Sequence, residues 1–182
     1  GTEIGIKFVR FIFSFVNYFR KKKIKNYLIK KGFNGKFELI EHHLAHAASA
    51  YFSQEKDIGL IITMDANGEG YCSHIYTSKK NKLKLVHKIT VYHSLAIYYA
   101  YITKLIGFTP LRHEGKILGL AASGDNVKVE KILKKFIYFD KKNLNFVNEG
   151  GYYHKAFLKL KNELKNFSRE DLASGIQNYS EK

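Results

Sequence analysis

Apolar and polar residues follow different periods along the chain, and these periods predict an alternation of helices and strands. One helical stripe runs through residues 6–31 and ends at the helix-breaking Gly32. Ser168, followed by Glu170 and Asp171, is typical of the N-cap and acidic first turn of a final helix. The other predicted helices are the histidine-rich segment from residue 42 onward and residues 94–106, 115–122, 127–138 and 152–164.

Four short apolar segments predict strands. Residues 37–40 lead into the histidine-rich helix, and Asn81 and Lys82 are predicted to form a turn between two later strands. Residues 57–64 are apolar almost without interruption, which is typical of a strand covered on both faces. The last three strands form a predicted meander of residues 58–64, 71–77 and 83–91. Helices and strands together predict an α/β fold.

Composition restricts the class of protein. The 182 residues, 45% of them hydrophobic, are enough to bury one sizeable core. The single cysteine, Cys72, excludes an internal disulfide and a cysteine-rich zinc site, and fits a reducing, cytoplasmic compartment. Cys72 itself is predicted to be a buried strand residue.

The chain is strongly basic, with 31 Lys and Arg against 16 Asp and Glu and a net charge of +15. Such an excess is compatible with nucleic acid, an anionic surface or anionic substrates such as nucleotides. The lysines are spread in pairs and no nucleic-acid-binding motif accompanies them, so a solvated lysine-rich surface is the preferred interpretation.

The N-terminal apolar run has two interpretations. Lys7 and Arg10 interrupt residues 4–19, and the run falls short of the roughly 18–20 residues of a membrane span. The basic residues 20–25 follow the apolar run, which is the reverse of a secretory signal. An aromatic, basic helix can also lie on a membrane surface. We favour a buried helix over residues 8–28 that ends in basic residues.

His42 and His46 are spaced to share one face of a helix, with Cβ atoms about 5–6 Å apart, and two imidazoles on one face can bind a metal ion. Asp65 follows an apolar strand and precedes Gly68 and Gly70, so its carboxylate can bind a metal or orient a metal-bound phosphate near exposed backbone. The alternative for the two histidines is a histidine-rich helix packed under a sheet. The alternative for the Asp65 segment is an ordinary hairpin turn.

Two later segments carry further candidates. His93 and Ser94 precede a predicted helix, which Ser94 is suited to cap. Glu114 and Lys116 precede a predicted turn that contains Gly119. Lys116 is a candidate phosphate contact and Glu114 a residue that positions it, and a surface ion pair between them is the competing interpretation.

These segments occur in one order that resembles the NodU/CmcH-type O-carbamoyltransferases. The resemblance is strong from about residue 37 to 122 and weaker to 182, and the block from Glu41 to Phe52 is its most specific part. The family is similar to the tRNA threonylcarbamoyl-adenosine transferases, which keeps tRNA open as an acceptor. It implies an actin/hexokinase-like ATPase (ribonuclease-H-like) half-domain: a mixed sheet with flanking helices.

The resemblance also implies roles for individual residues. His42, His46 and Asp65 would bind a divalent metal, with iron, manganese, magnesium and zinc all open, and a further aspartate of the family has no match here. His43 and Glu69 would be catalytic, His43 either as a substrate contact or as support for the metal ligands. The residues expected to bind nucleotide or carbamoyl group are Asn67, Gly68, His93, Ser94, Glu114, Lys116 and Gly119.

The implied reaction transfers a carbamoyl group from carbamoyl-adenylate, which is made from ATP and carbamoyl phosphate, to a small-molecule hydroxyl. Ala66 and residues 122–124 depart from the family pattern, which affects the backbone approach to a nucleotide. We divide the chain into an N-terminal helical segment (1–36), a first-half core (37–167) and the start of a helix leading to a missing second half (168–182).

The resemblance therefore predicts a fragment or truncated homologue that lacks its second half and its adenylate-forming domain. Alone it is expected to bind a divalent ion weakly and to turn over no carbamoyl phosphate, and a homodimer is open. Two other classes remain: a degenerate nucleotide- or metal-binding module without catalysis, and a basic membrane- or RNA-associated protein that depends on residues 20–25.

Overall fold

The computed structural model describes residues 16, 18–55, 59–151 and 153–182, which belong to two compact units divided between Lys88 and Ile89. Residues 18–30 are helical (α1), in agreement with the helix predicted over 6–31, whose first residues lie outside the described part. The basic residues 20–25 are exposed on α1, and so are the aromatic side chains of Tyr18, Phe19 and Tyr27. The burial predicted for the helix over residues 8–28 is therefore wrong for its described part. No helix in the described ranges has both the length and the apolar character to cross a bilayer.

The first unit combines one helix that follows α1 with the predicted meander. The elements are α2 (His42–Phe52), β1 (Gly59–Gly68), β2 (Tyr71–Lys79) and β3 (Lys82–Thr90). The strands lie in the order β1-β2-β3, and β1 and β2 pair antiparallel. The turn between β2 and β3 is Lys80 and Asn81, one residue earlier than predicted, and both have positive φ angles, as a tight two-residue hairpin requires.

α2 packs on one face of this sheet. Ala47 and Tyr51 are one helical turn apart and share its buried face, where they meet Ile61 of β1 and Tyr76 of β2. Ile61 and Thr63 are buried while Ile62 between them is exposed, because alternate side chains of a strand point to opposite faces. This packing fixes which residues of α2 reach the end of β1.

Two strand predictions need correction. Residues 37–40 form no strand in the structure, and Leu39 and Ile40 are exposed. Glu38 interrupts this apolar segment, and no strand in the described ranges pairs with it. The apolar character of β1 does not reflect two covered faces either. Leu60, Ile62 and Met64 are each more than half exposed on the face opposite α2.

The second unit is mainly helical and encloses its own core. Ile102, Ile117, Leu133, Leu160 and Ile176 are buried together, one from each of the five α-helices described in this unit. After a 3₁₀ turn (Val91–His93), its elements are α3 (Leu95–Leu105), α4 (Glu114–Ala121), α5 (Val127–Phe136), β4 (Ile137–Asp140), β5 (Asn145–Asn148), α6 (Tyr153–Leu164) and α7 (Arg169–Glu181). The start of the helix predicted at 152 lies outside the described residues.

The helix predicted over 127–138 is too long. α5 ends at Phe136, and residues 137–140 pair with 145–148 as an antiparallel hairpin. Phe136 and Ile137 are both buried, so the apolar run continues across the change from helix to strand. By contrast, the predicted N-cap of α7 is confirmed: Ser168 Oγ accepts a hydrogen bond from the Asp171 backbone N–H at 3.0 Å.

Helices and strands together make this an α/β chain. Cys72 is buried in β2, as predicted. In the described ranges, β1 with β2 and β4 with β5 are antiparallel pairs, so these pairings do not supply the parallel strands that a mixed sheet requires. The domain boundaries at 36/37 and 167/168 stay predictions.

Candidate metal site

The adjacent histidines at the start of α2, His42 and His43, point in different directions. His43 lies one turn before Ala47 and is fully buried against the sheet. His42 and His46, also one turn apart, stand at the margin of the helix and remain partly exposed. Their Nε2 atoms are 3.2 Å apart. The four-residue spacing therefore brings the two imidazoles together at one end of the sheet.

Asp65 reaches the same place from β1. The regular pairing of β1 with β2 is interrupted between Met64 and Gly68, so Asp65 lies at an irregularity within the strand rather than after its end. Its Oδ2 is 2.7 Å from Nε2 of His42 and 3.7 Å from Nε2 of His46. Its Oδ1 accepts a hydrogen bond from the Ala66 N–H. One oxygen is thus held while the other faces the imidazoles.

The donor set suits a divalent cation. One ligand atom from each of His42, His46 and Asp65 lies within 4.8 Å of the other two. A cation with bonds of about 2.1 Å spaces its ligand atoms roughly 3–3.5 Å apart, close to the distances found here. Burial opposes ionisation of Asp65, but hydrogen bonds from His42 and Ala66 outweigh it and lower the pKa of this carboxyl.

Gly68 packs directly against the histidines. A Cβ atom at this position would clash with Cδ2 of His42 and lie 2.8 Å from Nε2 of His43. The absence of a side chain allows α2 to approach β1 this closely. Gly68, predicted to bind the nucleotide or carbamoyl group, therefore also has a structural role, because it makes room for the rings of His42 and His43.

His43 points into the unit. Its Nδ1 is 2.9 Å from the Thr63 hydroxyl, and its Nε2 is 3.2 Å from the Tyr71 carbonyl oxygen. Because a carbonyl only accepts, Nε2 carries the proton and Nδ1 accepts from Thr63. Burial lowers the pKa of His43. Both nitrogens are therefore engaged within the protein, which favours a supporting role over a substrate contact.

Glu69 and Gly70 form the tight turn between β1 and β2. Both have positive φ angles, 54° for Glu69 and 91° for Gly70. Glutamate is an unfavourable residue in this left-handed conformation, which asparagine or glycine adopts at lower cost. The Asn67 side-chain oxygen accepts the Gly70 N–H at 2.9 Å and closes the turn. Glu69 itself is exposed.

Three residues of this region were not predicted. Glu41 caps α2, because its carboxylate accepts the backbone N–H groups of His43 and Leu44. His74 and Tyr76 of β2 lie behind the histidines, on the face that α2 covers. The two-residue alternation in β2 is the signal that places them on one face.

His93 and Ser94 belong to the second unit. The Asn148 N–H donates to Nδ1 of His93 at 3.2 Å, so Nε2 is the protonated nitrogen of a neutral ring, and burial lowers the pKa of His93. Ser94 occupies the N-cap position of α3, but its hydroxyl makes no capping hydrogen bond. Ser94 Oγ is buried and has no hydrogen-bond partner among the described residues.

Glu114, Lys116 and Gly119 also lie in the second unit, on α4. Glu114 accepts the Leu111 N–H at 2.6 Å. Lys116 places its Nζ 5.5 Å from the centre of the Phe108 ring, an arrangement typical of cation–π contact. Neither contact is the surface ion pair of the competing interpretation. Gly119 lies inside α4 rather than in a turn.

The chain is similar to a known protein family and to several known proteins. The sequence model of the family described as Carbamoyltransferase N-terminus matches residues 7–182. An uncharacterized protein of Methanocaldococcus jannaschii is 32% identical over 103 residues, covering 57% of this chain and 20% of that protein. An uncharacterized protein of Synechocystis sp. is 34% identical over 97 residues, covering 53% and 16%. A second uncharacterized M. jannaschii protein is 30% identical over 172 residues, covering 84% and 28%. The chain thus spans less than a third of each of these relatives.

Proposed function

Because the chain belongs to the carbamoyltransferase N-terminal family, we propose that it supplies the metal-binding part of a carbamoyltransferase with an actin/hexokinase-like fold. The observation that carries this proposal is the convergence of three donor atoms from His42, His46 and Asp65. Family membership supports the reaction class, and the donor set supports the metal.

The proposed reaction passes a carbamoyl group from carbamoyl-adenylate, made from ATP and carbamoyl phosphate, to a small-molecule hydroxyl. The acceptor oxygen bonds to the carbamoyl carbon, the bond from that carbon to the adenylate phosphate oxygen breaks, and the hydroxyl proton passes to a base. We assign the base to Glu69, because the nitrogens of His43 are already engaged. The proposed partners of this chain are further domains of the enzyme and a second copy of the chain.

His42, His46 and Asp65 would hold the divalent ion, whether iron, manganese, magnesium or zinc. When bound, such an ion stabilises negative charge on phosphoryl and carbamoyl oxygens. The lowered pKa of Asp65 favours its ionised carboxylate, which is the protonation state that a cation requires.

The remaining predicted residues are proposed as contacts for the nucleotide or carbamoyl group. In the second unit, His93 offers an N–H donor at Nε2 and Ser94 a buried hydroxyl, while Lys116 offers positive charge. Hydrogen-bond donors and a cation are the groups that recognise phosphate and carbonyl oxygens. The other proposed contacts are Asn67, Gly68, Glu114 and Gly119.

Titration of the full chain with Mn²⁺, Zn²⁺ and Co²⁺ by calorimetry tests the metal proposal. We expect one ion per chain. His46→Ala should weaken binding by at least about 100-fold, because loss of a direct ligand costs more than loss of the residues behind it.

His154→Ala is the matched control, since His154 is an exposed histidine of the second unit and should leave the affinity unchanged. Equal affinity in wild type and His46→Ala would contradict the proposed site. Binding to RNA or anionic vesicles that falls with salt, depends on residues 20–25 and ignores His46 would instead favour the basic-surface alternative.

A further inference from the structure

Behind the candidate metal ligands lies a cluster of buried polar side chains that the proposed reaction does not use. His74 of β2 is at its centre, with 2% of its surface exposed. Its ring centre lies 4.5 Å from that of His43, with the ring planes inclined by 35°. Its Nδ1 is 3.0 Å from the hydroxyl of Tyr76. His74 therefore contacts the inward-facing histidine of α2 and the tyrosine next to the helix cap.

The hydrogen bonds of this cluster run in one direction. The Tyr76 hydroxyl donates to Oε2 of Glu41 at 3.4 Å, which leaves the tyrosine oxygen to accept from Nδ1 of His74. Glu41 in turn accepts the backbone N–H groups of His43 and Leu44. The chain of hydrogen bonds thus connects β2 to the first turn of α2, and such bonds strengthen one another in a buried setting.

The ionisation of the cluster agrees with this direction. Burial lowers the pKa of His74 to about 4, although Glu41 opposes the shift. Burial and the neighbouring Glu41 raise the pKa of Tyr76 to about 12. For Glu41, burial is outweighed by the two backbone N–H groups, and its pKa is lowered. At neutral pH the cluster therefore consists of one carboxylate with a neutral histidine and a neutral tyrosine.

We infer that His74 is a positioning residue for the metal site: it fixes the first turn of α2 so that Nε2 of His42 faces Asp65. This inference rests on the proposed metal site. His42 stands in sequence between Glu41 and His43, and both of these are held by the cluster. A small rotation of this turn would move His42 away from Oδ2 of Asp65, which is only 2.7 Å from it.

The first experiment measures Co²⁺ binding and the visible absorption of the bound ion. His74→Leu should weaken binding roughly tenfold or more and change the spectrum, since residues behind metal ligands typically account for 10- to 100-fold in affinity. His74→Asn should restore much of both, because its amide N–H can replace Nδ1 toward Tyr76. A role in stability alone would not produce this rescue or the spectral change.

The second experiment needs no metal. Hydrogen exchange of the His43 and Leu44 amides reports directly on the Glu41 cap, because helix N-terminal amides have no partner within the helix. His74→Leu should accelerate exchange at both amides in the metal-free protein, and His74→Asn should not. If the wild type binds no Co²⁺, the proposed function fails while this measurement still decides the positioning role.

Ser78→Ala is the matched control. Ser78 is buried on the same strand and its hydroxyl donates to the Gly59 carbonyl, so its loss also removes a buried hydrogen bond. It should leave Co²⁺ affinity and both amides unchanged. If His74→Leu does not fold, Tyr76→Phe replaces it, because it breaks the same connection by removing one oxygen. Unchanged exchange at both amides in the variant that folds would overturn the inference.

Discussion

Single atoms decide the geometry at the candidate site. The hydrogen at Gly68, in place of a methyl group, leaves room for the rings of His42 and His43 to meet the end of β1. At Glu69 the backbone adopts a conformation that glutamate tolerates poorly, and such strain is concentrated at functional sites. Both residues lie in the same turn region as Asp65.

Gly68→Ala should therefore displace His42 and reduce metal affinity by at least about tenfold, an effect like that of losing a residue behind the ligands. The added methyl group should also lower the free energy of unfolding by about 1–3 kcal/mol, as overpacking does. Calorimetric metal titration and urea unfolding measure the two effects.

Gly115→Ala provides the comparison, because a Cβ atom there meets no atom within 4 Å. It should not weaken metal binding. Wild-type metal affinity in Gly68→Ala would show that His42 does not depend on this close contact.

Two glycines in helices of the second unit have different surroundings, so replacing each by alanine should have opposite effects on stability. Gly119 lies within α4, where an added Cβ would meet nothing within 4 Å. Gly175 lies within α7, where a Cβ would overlap Val129 of α5, a fully buried residue. α5 and α7 therefore cross at a glycine.

We expect Gly119→Ala to raise the free energy of unfolding by about 0.5–1 kcal/mol, because alanine favours a helix interior. Gly175→Ala should lower it by about 1–3 kcal/mol through overpacking against Val129. Chemical denaturation of both variants measures these changes. Destabilisation by both would contradict the open surroundings of Gly119, and a loss of nucleotide binding in a stable Gly119→Ala variant would support its proposed role.

The sequence predicted those elements whose period is long and unambiguous. The four-residue spacing of His42 and His46 predicted their shared face, and three short apolar segments with a turn at Asn81 and Lys82 predicted the meander. The β4–β5 hairpin was missed because a short apolar run cannot be assigned to helix end or strand by period alone. The Glu41 cap was missed because serine, threonine, aspartate and asparagine are the usual N-cap residues.

The cluster around His74 was beyond prediction for another reason. Its contacts depend on the pairing of Thr63 with His74 and of Ile61 with Tyr76 across two strands. A shift of one residue would turn both aromatic side chains to the opposite face. Sequence spacing within a single strand does not fix that register.

For the whole molecule, the buried histidines make stability depend on pH. The pKa of His74 falls from its ordinary value of 6.5 to about 4 on folding. Below pH 6.5 the unfolded chain binds a proton that the folded chain excludes, so stability decreases as pH falls. The loss begins near pH 6.5 and is complete below the folded-state pKa.

We expect the free energy of unfolding of the first unit to fall by up to about 3 kcal/mol between pH 6.5 and 4 in the metal-free protein. His74→Leu should reduce the slope, leaving the contribution of His43, whose pKa is also lowered. Urea unfolding at several pH values in the presence of a chelator measures both slopes. Identical slopes in the two proteins would show that His74 does not exclude the proton.

Met64 is the only methionine of the chain, and it lies on the open apolar face of β1 immediately before Asp65. Peroxide converts an accessible thioether to a sulfoxide, which is polar and detectable by mass. The rate of this single oxidation therefore gives a site-specific chemical reporter of solvent access to that face of the sheet, without labels or substitutions.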